Sequence, residues 1–175
     1  MGATALLAAC SAACSNSSTA ASATVQGTIG GSQVDTLDVY GTNATIGSDT
    51  TAITTVNVSI ANRAGICGDV MAGTRPANLR LLSFAVTTQG SSTPTGQYAI
   101  GQQGTDTTTS ARYEVLDGAC HATNDFATAG SVTFTTIDSG VLRGSFDLTF
   151  PDGHVTGDFT APVCNASADG MTCTQ

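Results

Sequence analysis

The sequence predicts an all-β protein, an antiparallel β-sandwich of about nine strands ending in a C-terminal meander; a small up-and-down β-barrel is the alternative. Three observations lead there. Of 175 residues, 30 are Thr and 20 are Gly, which suits strands and turns better than helices. No segment sustains the apolar spacing of an amphipathic helix. Short runs instead alternate apolar and polar residues, separated by Gly- and Pro-containing connections.

The elements follow in order. Strands are expected at Thr24–Ile29 and Val34–Tyr40, with Gly30-Gly31 as the tight turn after the first. A third runs from Ile53 to Ile60. Ala64 to Asn78 carries Gly65, Gly68, Gly73 and Pro76 and reads as a long loop with one helical turn near Val70. Leu79–Val86 and Gly96–Ile100 follow, separated by a surface loop from Gln89 to Pro94. Gly101 to Thr109 has no apolar residue and reads as a loop before Ala111–Leu116. The meander then comprises Ser131–Ile137, Leu142–Phe150 and Val155–Val163.

Alternation in the meander is strict. Leu142, Phe146, Leu148 and Phe150 share one face with Val155, Phe159, Ala161 and Val163 of the next strand. The opposite faces carry Arg143, Asp147, Thr156 and Asp158, so one side is dry and the other wet. A loop at 151–154 would pair Phe150 with Val155 and Phe146 with Phe159; a loop at 139–141 would pair Phe134 with Phe146. Phe134, Phe146 and Phe159 are thus expected side by side on one face. In that register Asp147 faces Asp158. The pair reads either as a weak cation site with loop oxygens or as two solvated carboxylates.

Charge bounds the partners. Five Arg, no Lys and 13 acids give a net charge of −8. Nucleic acid is excluded as a partner, because phosphate binding rests on clustered cations. A polybasic membrane patch is excluded likewise. No window is long and apolar enough for a transmembrane helix.

The N-terminus points to another route to a membrane. Leu6-Leu7-Ala8-Ala9-Cys10 places Leu7, two small residues and a Cys in succession. Leu7-Ala8-Ala9-Cys10 resembles the lipobox of bacterial lipoproteins. The resemblance implies that Cys10 receives a diacylglyceryl group, that the signal peptide is cut before it, and that the new amino terminus is acylated. Several acyl chains make such an anchor durable. Ser11 after the Cys implies the outer membrane. Cys14, after Ser11-Ala12-Ala13, is the alternative lipidation site. No Lys or Arg precedes the run, so a start further upstream or a truncated chain is expected. The expected organisation is a signal remnant at 1–9, a lipidated Cys and flexible Ser/Ala/Thr linker at 10–23, and one β domain at 24–175.

Four further Cys fit an oxidising compartment better than zinc, since no close Cys pair exists in the body. Cys164 and Cys173 lie nine residues apart, which makes Cys164–Cys173 the cheapest loop to close and leaves Cys67–Cys120.

Motifs that carry chemistry are nearly absent. There is no G-x-S-x-G elbow, H-E-x-x-H, Walker A or EF-hand loop, and no cofactor is expected. His154 sits in the last hairpin. His121 follows Cys120 with Asp117 and Asp125 nearby, so a Ser–His–Asp arrangement would have to be built from one of these two imidazoles. Glu114, the lone Glu, reads as a solvated strand residue. With no Trp and only Tyr40, Tyr98 and Tyr113, a stacking platform for sugars is disfavoured; Tyr113 and Val115 are expected to point inward.

The expected function is therefore a membrane-tethered lipoprotein of the bacterial cell envelope with a non-enzymatic structural or binding role. The rivals are a secreted or tethered hydrolase and a small-ligand carrier with a β-barrel cavity.

Overall fold

The structure is a computed structural model that describes residues 20–48, 51–102, 104, 106–165 and 172–174. Cys10, Cys14 and the expected signal segment lie outside the described residues.

Two large antiparallel sheets pack as a sandwich and do not close into a barrel. The six-stranded sheet has the spatial order β2 (Ser32–Gln33), β1 (Ser22–Ile29), β12 (Gly153–Pro162), β11 (Val141–Phe150), β10 (Ala129–Ile137) and β7 (Gly96–Ala99). The five-stranded sheet runs β3 (Asp38–Ile46), β4 (Ile53–Ala61), β6 (Arg80–Gln89), β8 (Thr107–Leu116) and β9 (Ala122–Phe126). A helix, α1 (Ile66–Met71), falls in the loop where one turn was expected. Beside it, β5 (Thr74–Pro76) pairs in parallel with β13 (Thr172–Thr174).

Gly30 and Gly31 make the expected tight turn between β1 and β2, with φ of 57° and 73°, a conformation that two-residue hairpins need and L side chains resist. Of the expected strand Val34–Tyr40 only Asp38–Tyr40 is strand: β2 ends at Gln33 in the first sheet, residues 34–37 carry the chain across, and β3 opens at Asp38 in the second and continues to Ile46.

The inner faces alternate as expected. Val56, Val58, Leu82, Phe84 and Val86 meet Val132, Phe134, Phe146, Leu148 and Phe159 in the main core. Tyr113 is buried there and Val115 packs against it. The register of the meander, however, differs from the expectation. Phe150 pairs with Gly153 across a two-residue loop, so Phe146 faces Gly157 and Phe159 faces Gly144. A β-bulge between Phe134 and Thr136 sets Phe134 opposite Gly144. A slip of two residues preserves every face, so alternation alone cannot choose between the registers. Ring packing against glycine can. The Phe146 Cζ lies 2.7 Å from where a Cβ on Gly157 would stand, and the Phe159 Cζ lies 2.9 Å from that of Gly144. The three rings do share one face: the Phe134 and Phe159 centroids are 5.6 Å apart, and Phe84 reaches both Phe146 and Phe159 at 5.3 Å.

Candidate functional site

The outer faces of the two sheets differ. That of the six-stranded sheet is the expected wet face, with Arg143, Asp147 and Asp158 exposed. The outer face of the five-stranded sheet is divided across its strands. Toward one end Tyr40, Ser59, Ala61, Leu81, Glu114 and Leu116 are buried. Toward the other, Ala44, Ile46, Ile53, Ser110 and Arg112 are exposed, and Thr55, Asn57, Ala85 and Thr87 are half-buried.

The buried end lies under a roof made of residues 62–79 and β13. Ile66 and Val70 of α1, with Leu79, pack on Tyr40, Ala61, Leu81 and Leu116 in a second small core. Polar groups seat the roof. The Asp38 carboxylate accepts the Gly65 and Ile66 amides at 2.8 and 3.1 Å. The Asn62 side chain accepts the Arg80 amide at 2.8 Å and donates to the Asn78 carbonyl.

Two disulfides fasten it, Cys67–Cys164 and Cys120–Cys173. Both disulfides are thus present, but each cysteine has a partner other than the expected Cys67–Cys120 and Cys164–Cys173. Each doubling of loop length costs only about 0.6 kcal/mol, so the advantage of the nine-residue loop is roughly 2 kcal/mol and packing overrides it. The Cys164 amide donates to the Gly41 carbonyl at 2.7 Å, which places Cys164 over β3 beside α1, with its Cα 5.9 Å from that of Cys67. Pairing of β13 with β5 carries Cys173 toward the 117–121 loop and Cys120.

Arg75 of β5 reaches from the roof onto the sheet. Its Nη2 lies 2.6 Å from Oε1 of Glu114, whose side chain is only 3% exposed. Nη2 of Arg112 lies 3.4 Å from the other oxygen, Oε2, which is buried and accepts no hydrogen bond among the described residues. Glu114 is therefore not the solvated residue that the sequence suggested. One carboxylate faces two guanidiniums, leaving a local charge of one in excess. Arg112 has no other partner among the described residues, and its side chain is 47% exposed.

Where the roof ends, the bare half of the sheet forms a groove of about 790 Å³. Its inner wall is Ile66, Val70, Leu79 and Arg75; its floor includes Thr55, Asn57, Ser83 and Ala85. Ile46, Ile53 and Phe126 stand around it, 77%, 47% and 60% exposed, three of the five large apolar side chains so exposed among the described residues. The floor hydroxyls are engaged with one another: Thr55 with Thr87 at 3.0 Å and Ser59 with Ser83 at 3.0 Å, while Asn57 donates to Ser59 at 3.2 Å.

The residues singled out for chemistry are elsewhere and apart. His121 Nδ1 lies 3.1 Å from Asp117, whose other oxygen accepts the Ala119 and His121 amides at 2.8 and 2.9 Å. These bonds, the His121 amide above all, hold the Asp117 carboxyl below its ordinary range. The cluster shapes the loop in which Cys120 has a φ of 68°. His154 Nε2 lies 2.9 Å from Asp147 on the wet face of the other sheet. Neither imidazole bonds a hydroxyl among the described residues.

Asp147 pairs with Thr156, and Asp158 with Ser145, because of the register shift. The expected Asp147–Asp158 confrontation is thereby corrected and the cation site loses its geometric basis. Among the described residues, no three His, Cys, Asp or Glu are grouped so as to hold a metal.

Comparison with protein families, with curated proteins and with solved structures finds no match for the chain.

Proposed function

We propose that the chain is a membrane-tethered lipoprotein of the bacterial cell envelope. Its β-sandwich body serves as a non-enzymatic binding module, and the groove on the outer face of the five-stranded sheet is the binding site. The bare groove is the observation that carries the reading. A folded body gains by covering apolar side chains, yet Ile46, Ile53 and Phe126 stand exposed around one concavity, next to an unsaturated guanidinium. Its volume suits a small-molecule site of ordinary size, roughly 300–1,000 Å³.

Two disulfides between distant segments favour an oxidising compartment. The Leu7-Ala8-Ala9-Cys10 sequence supports the anchor, with the first strand beginning only at Ser22. Because the sheets stay open, a carrier cavity inside a barrel is set aside in favour of an outer-face site.

Membrane and soluble fractions of a producing bacterium, followed by mass spectrometry of the mature amino terminus, test the anchor. The expected species is an acylated peptide beginning at Cys10, recovered from membranes. Unmodified Cys10 and Cys14 in a soluble fraction would overturn it.

A further inference from the structure

We infer that the groove takes a long-chain monocarboxylate, with the carboxylate at Arg112 and the aliphatic chain along the bare half of the sheet. This rests on the groove being the binding site and names its ligand class. The charge pattern comes first. In a chain of net charge −8, the charged residues lining the groove are Arg75 and Arg112, with no Asp or Glu among them. Arg75 is committed to Glu114 at 2.6 Å. Arg112 is not: its one partner is the far Glu114 oxygen at 3.4 Å, so its remaining N–H groups are available for a bidentate anion.

Much of the floor's polar surface is already engaged: Thr55 bonds Thr87, Ser59 bonds Ser83, and Asn57 donates to Ser59, which leaves fewer directed donors and acceptors for a sugar than the residue types alone suggest. Beyond Arg112 the ligand meets Ala44, Ala85, Ile46, Ile53 and Phe126, which reward apolar area, beside the hydroxyls of Thr42 and Ser110. Length agrees as well. Arg112 stands level with Ser83, and Ile53 stands level with Gln89. Six residues of strand separate the two levels, roughly 20 Å at about 3.4 Å per residue. A twelve-carbon acyl chain fits within that length.

The test is calorimetric titration of the full 175-residue chain with dodecanoate, dodecanol and acetate, all below micellar concentration. Three variants accompany it: Arg112→Gln, Arg112→Lys and Ala85→Trp, each checked for a cooperative unfolding transition. Dodecanoate is expected to bind, with dodecanol and Arg112→Gln each weaker by about tenfold or more, the worth of one charge-assisted hydrogen bond. Arg112→Lys keeps the charge and is expected to lose less than Arg112→Gln. Ala85→Trp fills the floor and abolishes binding.

If dodecanol and dodecanoate bind equally, to wild type and Arg112→Gln alike, and Ala85→Trp removes both, the ligand class is wrong while the groove remains a binding site. If dodecanoate does not bind, or binds unaffected by Ala85→Trp, the carboxylate assignment falls. The groove reading falls with it only if Ala85→Trp also leaves dodecanol binding unchanged. A dimer in sedimentation that Ala85→Trp converts to monomer would make a second copy the occupant and overturn the inference.

Discussion

The same four strands, β3, β4, β6 and β8, build both halves of one outer sheet face, yet one half is roofed and the other bare. On β4 the outward series runs Ile53, Thr55, Asn57, then Ser59 and Ala61; exposure falls from 47% at Ile53 to zero at Ala61. On β8 it passes from exposed Ser110 and Arg112 to buried Glu114 and Leu116. Burial here is not a property of strand or residue type. It is set by a separate segment, residues 62–79, fixed from outside by disulfides. The boundary between the halves is also where the two guanidiniums meet the one carboxylate.

The largest expected difference between the halves comes from the fastening. Cys67 and Cys164 close a loop of 97 residues. Chain entropy alone puts the cost of the double Cys→Ser variant at about 4.7 kcal/mol. Urea unfolding followed by circular dichroism checks it, and a change near zero would mean that the roof holds without its staple.

Next comes Glu114→Gln. It leaves Arg75, four-fifths buried, facing a neutral amide. Breaking a buried pair in this way costs about 3 kcal/mol, read from the same urea transition. By contrast, Ile46→Thr on the bare half should change stability by no more than about 0.5 kcal/mol, because Ile46 is 77% exposed. If Ile46→Thr proved as costly as Glu114→Gln, the division of the face would be wrong.

The smallest effect is one of pH. Hydrogen bonds from the His121 amide, the His121 side chain and the Ala119 amide lower the Asp117 carboxyl in the folded state. A carboxyl lowered by folding lends stability that is present above its unfolded pKa and lost as pH falls through its folded one. Acidification below the ordinary carboxylate range should therefore loosen the loop that carries Cys120 and leave the bare half unchanged. Amide exchange at Ala119 and His121, compared with that at Thr55, reports it.

The sandwich was legible because its inner faces obey a period of two. Alternation, with loops at 139–141 and 151–154 that keep the faces matched, puts Phe134, Phe146 and Phe159 on one face, and they share it. Their register was not legible, since a slip of two residues leaves that pattern intact and only Gly144 and Gly157 break the tie. The roof left a signal that alternation obscures: apolar residues adjoin at Ile60-Ala61, Leu81-Leu82 and Val115-Leu116, where the strands are covered on both faces or packed against a core.

Glu114 was misread because nothing local distinguishes a buried carboxylate from a solvated one. Its principal partner, Arg75, lies 39 positions away in a segment read as loop. β9 was missed because all five of its residues are exposed, so no buried face imprints a pattern. The cysteine partners were missed because loop length is a weak constraint beside the placement of β12 and β13.

The placement of a carboxylate ligand on the bare half of the outer face is tested most directly by amide chemical shifts of the full chain titrated with dodecanoate. Perturbations are expected at Ala44, Thr55, Ala85, Ser110, Arg112 and Phe126, with Ser145, Asp147 and Thr156 on the opposite sheet unmoved. Shifts centred on that opposite face, or on neither, would contradict it.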